Sequence, residues 1–159
     1  IYNKTPARIF MGDTGSLVLG LIISVLAIKF VEFNRQYVGD VSYEILSVPA
    51  VAISVLIIPL FDTSRVFLIR ILQGRSPLSS DRGHIHHTLI DLGLTHIKST
   101  IILISLNLIL IVNSLILNSK IAAEAVLFIN LVLMLIFSYA ASHLKRNLQK
   151  NSSLELNKQ

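Results

Sequence analysis

Ser99–Leu117, STIILISLNLILIVNSLIL, decides the fold. It runs for about 20 residues without a charged side chain, the length a helix needs to cross the hydrocarbon of a bilayer. Ile121–Ser142, IAAEAVLFINLVLMLIFSYAAS, repeats the pattern with Glu124 as its only charge. Asn118-Ser119-Lys120 leaves room only for a tight hairpin between the two. Upstream, Ile45–Phe61 is a further apolar run, with Pro49 near its start and Pro59 near its end, where proline is expected to kink or close the helix. Leu17–Ile28 opens one more, which reaches Phe33 if Lys29 snorkels at an interface and pairs with Glu32 at i,i+3.

The expected fold class is therefore an all-α polytopic membrane protein. It has about four transmembrane helices, over residues 16–33, 45–61, 99–117 and 121–142, plus an interfacial helix and a histidine-rich loop within 62–98. Residues 1–144 form the membrane part, and 145–159 form a basic tail, disordered toward its end. Composition agrees: 53% of residues are hydrophobic and 14% charged, with a mean hydropathy of +0.71, against about 25% charged in soluble chains. The absence of cysteine excludes disulfides and thiolate metal sites. A net charge of +5 does not point to nucleic acid, because the cations flank apolar runs instead of forming a basic domain with interleaved aromatics. With four spans, eleven of the 14 Lys and Arg residues share one side, which the positive-inside rule assigns to the cytosol. The chain opens on Ile1, and Tyr2–Arg8 lacks the layout of a signal peptide, so the C-terminal part of a longer protein is expected.

Two cytosolic stretches carry chemistry. In Gly12-Asp13-Thr14-Gly15-Ser16, glycines let backbone N–H groups approach a phosphate at a helix N-terminus. A carboxylate there would repel phosphate unless a cation intervened, so Asp13 suits a hard divalent ion; alternatively Asp13 or Ser16 caps the helix. Asp81-Arg82-Gly83-His84-Ile85-His86-His87 packs three imidazoles, a guanidinium and a carboxylate into one stretch. On a helix His84 and His87 share a face; in an extended loop His84 and His86 do. The residues suit hydrogen bonding to phosphate oxygens. Zinc binding and a merely solvated loop are the alternatives.

Between them, Val66, Phe67, Ile69 and Leu72 with Arg65 and Arg70 predict an amphipathic helix over Thr63–Gln73, stopped by Gly74. Asp62 is expected to be its N-cap, the alternative being that it orients Arg65, Arg82 or a histidine. Gly93 is expected to end a short helix and Thr95 to cap the next span. His96 and His143 are read as interfacial residues at span ends.

Asn3-Lys4-Thr5-Pro6-Ala7-Arg8-Ile9-Phe10-Met11-Gly12-Asp13-Thr14-Gly15-Ser16, Pro59-Leu60-Phe61-Asp62, Gly74-Arg75-Ser76-Pro77 and the Asp81–His87 stretch, in that order, resemble the polyprenyl-phosphate N-acetylhexosamine-1-phosphate transferases. The resemblance implies transfer of a sugar-1-phosphate, GlcNAc-1-phosphate by the form Asp-Arg-x-His-x-His-His, from a UDP-N-acetylhexosamine to undecaprenyl phosphate. The transfer releases UMP and initiates a cell-envelope glycan at the cytosolic face of a bacterial inner membrane. It further implies Mg²⁺, or Mn²⁺ in its place, on Asp13, uracil stacked on Phe10, nucleotide held by Asn3, and pyrophosphate gripped by Arg82, His84, His86 and His87. A homodimer is compatible with it. Many members have proline where this chain has Ser80, and the family's paired aspartates have no counterpart here, so the 159 residues are expected to be inactive alone. The rival readings are a transporter subunit or scaffold without catalysis, and a zinc-dependent membrane hydrolase.

Overall fold

The computed structural model describes residues 12–36, 48–77, 83–117 and 120–156. These form five helices, α1 (Gly12–Gln36), α2 (Val48–Leu72), α3 (Ile85–Asp91), α4 (His96–Leu117) and α5 (Ala123–Leu156), with no strand among the described residues. All but α3 are long and apolar enough to cross a membrane. The chain is an all-α, multi-pass membrane protein.

Several boundaries differ from expectation. The second span does not close at Pro59; α2 runs through it to Leu72, so Asp62 is no N-cap and Thr63–Gln73 is no separate helix. Proline has no N–H for the carbonyl four residues back, which would leave Val55 O unpaired. Asn107 Nδ2 of α4 donates to that oxygen at 3.1 Å, the kind of rescue that lets a membrane helix continue past proline. The last helix does not stop near Ser142 but continues through the basic tail, as α5 contains neither glycine nor proline. Lys145 in this extension pairs with Asp91 of α3 at 2.6 Å. α4 also begins three residues earlier than expected, at His96.

The turn chemistry follows the sequence closely. Gly74 adopts φ +67, with Arg75 N donating to Arg70 O and Gly74 N to Ile71 O, which satisfies the last carbonyls of α2. Gly93, at φ +87, ends α3 in the same way: Leu94 N reaches Leu89 O and Gly93 N reaches Ile90 O. Thr95 Oγ1 then accepts from Lys98 N at 3.3 Å, capping α4. Buried Arg70 donates to the carbonyl of Pro77, holding the chain that leaves α2. The Asn118–Ser119 part of the hairpin lies outside the described residues.

The core is built by α2, α4 and α5, with α3 wedged among them: Ile57, Phe61, Ile85, Leu89, Leu110, Met134 and Ala141 form one buried cluster. Apolar contact alone gives membrane helices little register, since lipid tails are as apolar as leucine. Here a polar knot supplies it. Asn130 Nδ2 donates to Ser54 Oγ and Ser114 Oγ, both at 2.8 Å, and to Leu110 O at 3.2 Å, while Asn113 Nδ2 donates to Asn130 Oδ1 at 2.7 Å. Ser54, Ser114 and Asn130 are fully buried. α1 lies against α2, with Ala27, Ile28 and Val31 beside Pro49, Ala52 and Ile53. The late part of one helix thus meets the early part of the other. Lys29 and Glu32 form the expected pair at 2.9 Å.

Candidate functional site

The histidines are placed by the short helix α3. Its buried stripe is Ile85, Thr88 and Leu89, an i, i+3, i+4 spacing that turns one face into the bundle. His86 and His87, lying between these positions, are turned toward the rim and are half-buried. His84 precedes the helix in an extended conformation, φ −68 and ψ 149, and supplies no side-chain cap. The stretch is thus neither wholly helical nor wholly extended, and the rings fan out instead of aligning.

Asp62 of α2 supplies the missing cap from 23 residues away. Its Oδ1 accepts from Ile85 N at 3.0 Å and from Arg65 Nη2 at 3.3 Å, while Oδ2 faces His84 Nδ1 at 3.0 Å. Arg65 also donates to Gly83 O. One carboxylate, mostly buried, therefore fixes both the start of α3 and the His84 ring. With Asp62 ionised, Nδ1 of His84 carries a proton, and Nε2 is the nitrogen left for a ligand.

His86 is held differently. Its Nε2 lies 3.4 Å from His96 Nδ1, and its ring meets His87 edge-on at 5.9 Å between centroids. Burial, then the neighbouring His96 and His87, push its pKa below the usual histidine value, with Asp62 opposing. The same surroundings favour the neutral ring of His86, which can offer an N–H to a phosphate oxygen.

Asp13 lies in the first turn of α1, which begins at Gly12 with φ +66, so Gly12–Ser16 is the opening of the helix and not a loop ahead of it. The Asp13 side chain, and Asn3, Phe10 and Arg82 altogether, lie outside what the structure describes. Among the described residues no three His, Asp or Glu side chains converge to hold a metal ion. Asp62 is occupied by its own partners, and the remaining groups are imidazoles, which suit Mg²⁺ poorly.

Residues 1–31 match the model of the Glycosyl transferase family 4. A probable undecaprenyl-phosphate N-acetylglucosaminyl 1-phosphate transferase of Bacillus subtilis (strain 168) is 34% identical over 120 residues, which is 74% of this chain and 30% of that protein. The decaprenyl-phosphate N-acetylglucosaminephosphotransferase of Mycolicibacterium smegmatis is 34% identical over 105 residues, 64% of this chain and 26% of its own length. An undecaprenyl-phosphate alpha-N-acetylglucosaminyl 1-phosphate transferase of Yersinia pestis is 30% identical over 99 residues, 62% and 24% respectively. Over most of its length the chain is similar to polyprenyl-phosphate N-acetylglucosamine-1-phosphate transferases. It spans about 30% of the length of the Bacillus relative. No solved structure matches it.

Asp62 follows the alternative given for it, orienting Arg65 and His84, and it caps α3 instead of a helix of its own. A second feature, His96 lying against His86, escaped the linear reading. The second had a signal: a glycine stop at Gly93 followed at once by a threonine cap at Thr95 folds α4 back beside α3 and brings the two histidines together.

Proposed function

We propose that this chain takes part in transferring GlcNAc-1-phosphate from UDP-GlcNAc to undecaprenyl phosphate, at the cytosolic face of a bacterial inner membrane. In the net reaction an oxygen of the lipid phosphate bonds to the sugar-bearing phosphorus as that phosphorus releases UMP. Both reactants are anionic, so neutralisation and alignment carry most of the catalysis. Mg²⁺, or Mn²⁺, held by Asp13 would supply charge neutralisation between the phosphates. Phe10 stacks on the uracil and Asn3 holds the nucleotide, while Arg82, His84, His86 and His87 grip the pyrophosphate.

The observation that carries this reading is the anchoring of α3 on Asp62, which sets three imidazoles at one end of the membrane bundle as pre-positioned phosphate donors. The printed names of the relatives support the acceptor and the sugar. The eleven cations of that side support its cytosolic placement. Neither an adjacent aspartate pair nor a second acidic stretch occurs in these 159 residues, and the chain alone is proposed to be inactive. The test is transfer of radiolabelled GlcNAc-1-phosphate to undecaprenyl phosphate by membranes containing the full-length protein. His84→Ala, His86→Ala and His87→Ala should each lower turnover strongly. Wild-type rates in all three would sink the proposal.

A further inference from the structure

We propose that His96 is a positioning residue for His86, fixing through its Nδ1 the orientation and tautomer in which the His86 ring meets the substrate phosphates; this rests on the transferase reading above. The two facing nitrogens, His86 Nε2 and His96 Nδ1, stand 3.4 Å apart, with ring centroids at 5.6 Å and planes tilted by 35°. Only one proton fits between two such nitrogens. With His96 Nδ1 donating and His86 Nε2 accepting, the single proton of the His86 ring sits on Nδ1, the nitrogen left to offer an N–H to a phosphate oxygen. Among the described residues His96 is the side chain within hydrogen-bonding reach of the His86 ring.

The need for such a prop follows from the fold. α3 has seven residues, too few to hold a helix by its own hydrogen bonds, and His86 lies in its first turn. His96 is the first residue of α4, a helix rooted deep in the bundle. Ser99 is fully buried one turn on, Thr100 Oγ1 bonds back to His96 O at 2.9 Å, and Ser114 ties the far end to α2 and α5. Just as Asp62 of α2 holds the ring of His84, His96 of α4 holds the ring of His86. The histidine helix is thus braced on both sides by rigid neighbours, and its rings are aimed differently by a carboxylate and an imidazole.

The test uses the full-length protein in membranes, with His96 replaced by Asn or by Gln. Asn places a polar atom where Nδ1 stood, whereas Gln places one near the position of Nε2. Loss of one neutral hydrogen bond, about 0.5–1.5 kcal/mol, corresponds to roughly a 2- to 12-fold fall in rate. His96→Gln should therefore lower kcat by up to about tenfold with little change in KM for the UDP-sugar, and His96→Asn should restore most of it. Combined with His86→Ala, His96→Gln should cost nothing further, because His96 acts through His86. Equal rates for the Asn and Gln variants, or a loss that multiplies in the His86→Ala background, would overturn the inference. Wild-type turnover by His86→Ala would instead overturn the transferase role of the histidines.

Discussion

Replacing Asp62 by Asn separates two duties that one carboxylate performs. The amide oxygen can still accept from Ile85 N, now at 3.0 Å from Oδ1, so α3 keeps its start. The amide nitrogen, however, then faces His84 Nδ1 in place of Oδ2. A donor there requires a lone pair on Nδ1, which moves the ring proton to Nε2, the nitrogen otherwise left for a ligand. A hydrogen bond to a charged group contributes about 1.5–3 kcal/mol, so turnover should fall by about one to two orders of magnitude. Stability should fall by only about 1 kcal/mol, mostly from weakening the contact with Arg65. Asp62→Ala removes all three partners and should lose about 3 kcal/mol of stability besides activity. The assay is lipid-linked GlcNAc formation by the full-length protein, beside thermal unfolding in detergent. If Asp62→Asn turns over at the wild-type rate, or loses as much stability as Asp62→Ala, the carboxylate does not govern the histidine.

Asn130→Ala removes the Asn130 contacts of the intramembrane knot, in which two amide hydrogens are shared among three acceptors, and at about 0.6 kcal/mol per full bond within a membrane the loss should be about 2 kcal/mol. A change below about 0.5 kcal/mol in unfolding from mixed micelles would deny the knot its role. Asn107→Leu should cost about 1–2 kcal/mol by orphaning Val55 O; Pro59→Ala, which restores the missing N–H, should recover most of it, and failure of that rescue would contradict the account of α2. The pKa of His86 is lowered in the folded protein, so between that value and about 6.5 the unfolded chain binds more protons and stability rises with pH. The melting temperature should therefore fall as pH drops below about 6.5, and His86→Asn should flatten that part of the profile; identical slopes would argue against the lowered pKa.

The spans were legible because hydropathy over about 20 residues dominates every local preference. Caps and stops at Gly74, Gly93 and Thr95 were legible because each satisfies a helix end with neighbouring backbone. What escaped was non-local. The continuity of α2 through Pro59 depends on Asn107, 52 residues beyond the carbonyl it serves, and nothing near Pro59 announces it. Asp62 read first as a helix start, and its alternative role, orienting Arg65 and a histidine, is the one the fold realises, 22 residues away at His84. The basic tail read as polar chain, but a run with neither glycine nor proline lets α5 continue until Lys145 can reach Asp91. Of the candidate site, the three histidines and Asp62 can be located, whereas Asn3, Phe10, Arg82 and the Asp13 side chain lie outside the described residues.

Because α2 is unbroken, Ser54 in the polar knot and Asp62 beneath the histidines stand on one rod, eight residues or about 12 Å apart. A shift of the rod along the membrane normal carries His84 with it, since no hinge intervenes to absorb the motion. Depth in the bilayer and height of the histidine helix are therefore one coordinate, as the proposed meeting of a lipid-anchored reactant with a soluble one at a fixed level would require.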